Sequence, residues 1–197
     1  MKKKAVILKE LKHHLPFTFF ASLAAGVLVA FIYLNWTIPS ESIFELLHPA
    51  HVLVSAAATS AIYWKYKKSV VGGFLVGIFG AILIGSLSDI LLPWIAGNLF
   101  LLKTGFHLPI LEDPILILGV ALIGAVAGMK FNLFNVSHSV HVFLSIFASL
   151  FYILAFSMVM NVWIVLLISF IVFLAVFIPC CISDIVFPIL FVGKQKR

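Results

Sequence analysis

Two short stretches carry histidines in the same pattern: HPAHVLVS, starting at His48, and HSVHVFLS, starting at His138. Residues at i and i+3 of a helix share a face, about 60° apart. Helix-borne metal ligands in carboxylate-bridged bundles use the same spacing. Further along each half comes a carboxylate in a second duplicated word: Asp89 in SDILLP and Asp184 in SDIVFP. Two histidines and an aspartate are good ligands for Zn²⁺ and also suit Fe²⁺, Mn²⁺ or Co²⁺. The expected metal ligands are therefore His48, His51, Asp89, His138, His141 and Asp184. Ser55 and Ser145, one turn beyond the histidines, and Ser88 and Ser183, preceding the aspartates, are secondary candidates. The blander readings are interfacial histidines bonded to loop carbonyls, or a relay of protons without metal.

Composition says what must hold these groups. Of 197 residues, 63% are hydrophobic and 10% charged, with mean hydropathy +1.23, against roughly 25% charged in soluble domains. Such a chain has lipid as its solvent. An aspartate at the centre of a membrane helix costs at least about 2.5–3.5 kcal/mol and by default marks a functional site. The net charge of +6 does not argue for nucleic acid, because the basic residues cluster beside apolar runs, a topological pattern.

Six apolar spans are expected, at 16–36, 48–64, 70–92, 114–129, 138–158 and 163–192, by the criterion of about 20 residues per span. Lys2, Lys3, Lys4, Lys9, Lys12, Lys65, Lys67, Lys68, Lys130, Lys194, Lys196 and Arg197 then fall on one side. Only Lys103 falls on the other, with Glu41, Glu45, Glu112 and Asp113. The positive-inside rule puts both termini in the cytoplasm and the chain in a bacterial or archaeal cytoplasmic (inner) membrane.

The octets match at an offset of 90 residues and the SDIxxP words at an offset of 95. One unit of three helices is thus used twice, and an odd unit must enter the membrane inverted the second time. The expected fold is an all-α polytopic membrane protein of six transmembrane helices in two inverted three-helix repeats. Repeat 1 spans 16–95 and repeat 2 spans 113–192. A cytoplasmic amphipathic segment at 1–15 precedes them, an extracytoplasmic or re-entrant connection at 96–112 joins them, and a basic cytoplasmic tail at 193–197 follows. Pro93 and Pro188 stand four residues after the aspartates. Each removes a backbone donor and clashes with the carbonyl at i−4, so the third helix of each repeat is expected to break there. Pro49 suits a first helical position and Ser137 an N-cap, which would place each histidine pair in the first turn of its helix. Gly72, Gly73, Gly77, Gly80, Gly124 and Gly128 allow close helix contact.

This layout resembles that of secondary transporters built from inverted repeats. The resemblance is architectural, and it implies a transporter or channel for a cation. The donor set points to a divalent transition metal, with a proton as co-substrate, and the chain could form a homodimer. The alternative is a membrane-embedded metal-dependent hydrolase acting on lipid or peptide. The spans offer it no further acid or base, so an enzyme is the weaker reading. A haem carrier would leave both aspartates unexplained, and a small-molecule permease or an interaction subunit without metal stays open because the spans contain few other polar groups.

Overall fold

In lipid the backbone has no partner but itself, so an apolar chain resolves its peptide groups as helices. The computed structural model describes residues 3–35, 40–131, 134–158, 163, 164, 167, 170–173, 176, 179 and 185–192. Among them the structure is all-helical, without strands. The elements are α1 (Lys3–Asn35), α2 (Ser40–Tyr66), α3 (Val70–Ser86), a π turn (Leu87–Leu91), α4 (Leu92–Leu99), α5 (Pro109–Glu112), α6 (Pro114–Phe131), α7 (Phe134–Phe156) and a short α8 (Phe187–Phe191). Among the described residues, three helical stretches are long and apolar enough to cross a membrane: Ser40–Tyr66, Val70–Leu99 and Pro114–Phe131. The apolar stretches Leu23–Asn35 and Val140–Phe156 are shorter. The boundaries drawn at 15/16 and 95/96 fall inside α1 and α4.

α2 is the hub. From Val52 to Tyr63 most of its residues are buried whichever way they point, as expected of a helix surrounded on all sides. Glycines on α6 bring one neighbour close: a Cβ on Gly124 would collide with the Leu53 carbonyl, and one on Gly128 with the Ala57 carbonyl. Ser60 Oγ also donates to the Ala125 carbonyl at 3.1 Å. These contacts pair 124 with 53 and 128 with 57, so α6 runs parallel to α2. α3 runs antiparallel to it, since Gly72, Gly77 and Gly85 meet Tyr63, Ser60 and Val52 in turn. α7 is antiparallel as well: Phe44 packs on Tyr152 and Phe156, and His51 on His141.

This arrangement sorts charge by end. Lys65, Lys67, Lys68 and Lys130 share one end of the bundle, and Ile7 of α1 packs on the cluster of Ala61, Ile62, Ile185 and Ile189, which brings Lys9 and Lys12 there too. Glu41, Glu45, Lys103, Glu112 and Asp113 lie at the opposite end.

Two expectations about the helices are corrected. The third helix is not broken at SDILLP. Val70–Leu99 is one helical rod, and Leu87–Leu91 widen into a π turn in which the Leu92 N–H reaches the Leu87 carbonyl. Pro93 removes a single donor, and one wider turn absorbs the defect without unwinding the chain. Ile185 and Val186 are also in π conformation, and Pro188 lies in the first turn of α8. Nor does the first histidine pair begin a helix. α2 starts at Ser40 with Glu41 in its first turn and carries Pro49 in its interior, so His48 and His51 lie two to three turns in. The second pair lies less deep, His138 and His141 being the fifth and eighth residues of α7.

Candidate metal centre

The extra residue of a π turn re-aims the side chains around it. Here it directs Asp89 between α2 and α7. Nδ1 of His48 and Nδ1 of His51 lie 2.9 Å and 2.5 Å from Asp89 Oδ2. Ser88 Oγ donates to Oδ1 at 2.9 Å, and Ser145 Oγ donates to the same atom at 2.8 Å. An ionised carboxylate has about four lone-pair positions, and four donors fill them. This saturation makes the burial tolerable, because a buried charge persists only when paired and hydrogen-bonded. Asp89, His51, Ser88 and Ser145 are 0% exposed and His48 is 1% exposed.

The network fixes the ring tautomers. Each histidine donates from Nδ1 to the carboxylate, which leaves the Nε2 lone pair as its ligand position. Metal-bound histidines are oriented in this manner, with a carboxylate on the nitrogen opposite the metal. His51 Nε2 is buried with no hydrogen-bond partner among the described residues, and so is Ser55 Oγ, one turn further along the same face. The His51 and His141 rings lie 4.5 Å apart between centroids. One ligand atom from each of His48, His51 and Asp89 lies within 4.8 Å of the others, so the three could hold a metal ion directly as well.

The structure thus joins His48, His51, Ser88 and Asp89 of the first half to His141 and Ser145 of the second. The two octets meet at one place in the bundle. Three expected groups, the His138 side chain, Ser183 and Asp184, lie outside the described residues. The sequence reading missed Ser149, whose hydroxyl donates to the Ser145 carbonyl at 2.6 Å and lies 3.0 Å from the Ser88 carbonyl. Extending the i, i+4 step beyond Ser145 finds it. The reading also passed over Phe44, whose ring stacks on His48 at 5.7 Å and 21°. An apolar residue one turn before a ligand gives no signal in sequence.

Compared with protein-family models, curated proteins and solved structures, the chain gives no match.

Proposed function

We propose that the protein is a membrane transporter for a divalent transition-metal cation, one of Zn²⁺, Fe²⁺, Mn²⁺ or Co²⁺, bound at the His48–His51–Asp89 cluster. The observation that carries this reading is a fully buried carboxylate holding two imidazoles by Nδ1 while His51 Nε2 has no hydrogen-bond partner among the described residues. A purely structural cluster would use its polar atoms up. This one orients ring nitrogens and keeps a lone pair in reserve.

The proposal includes six spans in two inverted halves, with the lysine-rich end in the cytoplasm. Its support is the antiparallel pairing of α2 with α7, the contact of His51 with His141, and the gathering of lysines at one end. It gives His138, His141 and Asp184 the same task in the second half. Ser55 is the counterpart of Ser145 in the first octet. Alternating exposure of one centre to the two sides is the use transporters make of inverted halves. Metal and proton compete for the same ring nitrogens, which is the chemical basis for coupling the two.

The test is flux. Purified protein in sealed proteoliposomes is expected to move Zn²⁺ or Mn²⁺ down an imposed gradient, and His51→Ala to abolish the movement while remaining folded. Wild-type vesicles no more permeable than empty ones, toward each of the four metals and with or without a proton gradient, would overturn the proposal.

A further inference from the structure

A second cluster of titratable groups lies at the acidic end, outside the buried centre. His107 is held between two carboxylates: Nε2 meets Glu45 Oε1 at 2.5 Å, and Nδ1 meets Glu112 Oε1 at 2.8 Å. Each ring nitrogen thus faces a carboxylate oxygen of its own. Because each nitrogen faces its own acid, the arrangement is a clamp across the ring and no single ion could take all three ligands. The clamp is fastened from behind. The His107 N–H donates to the Tyr152 hydroxyl, which donates to the Gly105 carbonyl, and the Gly105 N–H donates to the Phe156 carbonyl. His107 is therefore fixed on the end of α7, where its ring stacks on Phe156 at 4.7 Å.

Directly beneath lies Phe44, fully buried. Its ring touches His107 at 5.8 Å on one side and stacks on His48 at 5.7 Å on the other, with Tyr152 and Phe156 closing the cage. Phe44 thus contacts both the His107 ring of the clamp and the His48 ring of the buried centre. Glu45, Phe44 and His48 stand within a turn of one another on α2, so the surface clamp and the buried centre share one piece of helix.

We infer that Phe44 and its His107 clamp form a closed gate between the acidic end and the buried centre. This inference rests on the transport reading for the identity of what passes, a divalent cation. An aromatic constriction blocks a hydrated ion by excluding water. The carboxylates around it, together with Glu41 and Asp113, draw cations to that end. The gate is also built to open. Glu45 is 42% exposed and Glu112 57% exposed, and ion pairs so open to solvent hold weakly. A cation that takes either carboxylate frees one nitrogen of the His107 ring, which can then tilt off the Phe44 ring.

Water access to the buried histidines tests this independently of transport. Hydroxyl-radical footprinting of the full chain in nanodiscs, read by peptide mass spectrometry, reports oxidation of His48 and His51. Wild type is expected to be protected at both. Phe44→Ala is expected to raise their oxidation about tenfold, and Glu45→Gln with Glu112→Gln severalfold. Phe106→Ala, at the same end but off this path, should leave it unchanged. If Phe44→Ala does not fold, the glutamine pair carries the test alone. Protection unchanged in a folded Phe44→Ala or in the folded glutamine pair, with flux intact, overturns the gate and leaves transport standing. Raised oxidation in a protein that moves no metal keeps the gate and overturns transport.

Discussion

Ser145, on α7, donates its hydroxyl to Oδ1 of Asp89, in the π turn after α3, at 2.8 Å. This bond crosses between the two halves of the chain and completes the donor set of a buried carboxylate. A hydrogen bond to a charged group contributes about 1.5–3 kcal/mol. Ser145→Ala is expected to lower the unfolding free energy by that order in mixed micelles. Ser149→Ala, which removes bonds only to carbonyls, should cost about 1 kcal/mol. Equal losses in the two variants would mean that Asp89 does not depend on the second half.

Asp89→Asn tests whether the carboxylate sets the ligand nitrogens of the centre. The amide keeps one oxygen to accept from Ser88 and Ser145, but it turns an –NH₂ group toward His48 and His51. Each ring must then accept at Nδ1 and carry its proton on Nε2, which blocks the lone pair that faces the metal. Metal affinity is expected to fall by at least about 10–100-fold, the range for losing an orienting partner, in a protein that remains folded. Titration with Zn²⁺ by calorimetry measures it. Undiminished affinity would show that the tautomer has no part in binding.

Pro93→Ala tests the π turn. It returns a backbone donor opposite the Asp89 carbonyl and allows Leu87–Leu91 to tighten into regular α-helix, which rotates Asp89 away from α7. Affinity for Zn²⁺ is expected to drop about tenfold. A variant with full affinity would mean that Asp89 reaches its partners without the widened turn.

The glycines of α6 give a prediction about packing alone. A Cβ at Gly124 would strike the Leu53 carbonyl, whereas one at Gly119 meets nothing within 4 Å. Gly124→Ala is expected to destabilise by about 1–3 kcal/mol, the usual range for overpacking, and Gly119→Ala to be neutral or stabilising. The two thermal unfolding curves decide this. Equal midpoints would place α6 further from α2 than the structure has it.

The residues of the centre were legible because a charged or titratable group in an apolar chain stands out, and the duplication singled out His48, His51, His141 and Asp89 together. That the two octets meet was not legible, since the sequence does not give the depth at which His51 and His141 cross. The helix geometry was misread at its prolines. Pro49 and Pro93 announce a lost hydrogen bond, but a first-turn proline, a break, a kinked interior and a π turn all satisfy the same rule. Only packing around α2 chooses among them. Ser40 and Glu41 held the better start signal for α2, a capping residue followed by an acid in the first turn. The clamp at His107 joins positions 62 residues apart in sequence, and no local pattern links them.

The most direct test of the central claim is the metal content of the purified protein after equilibration with Zn²⁺ and removal of unbound ion, measured for wild type and for Asp89→Asn combined with His51→Ala. The account predicts bound metal in the wild type and its loss in the folded double variant. A wild type that retains none, or a double variant that retains as much, would contradict it.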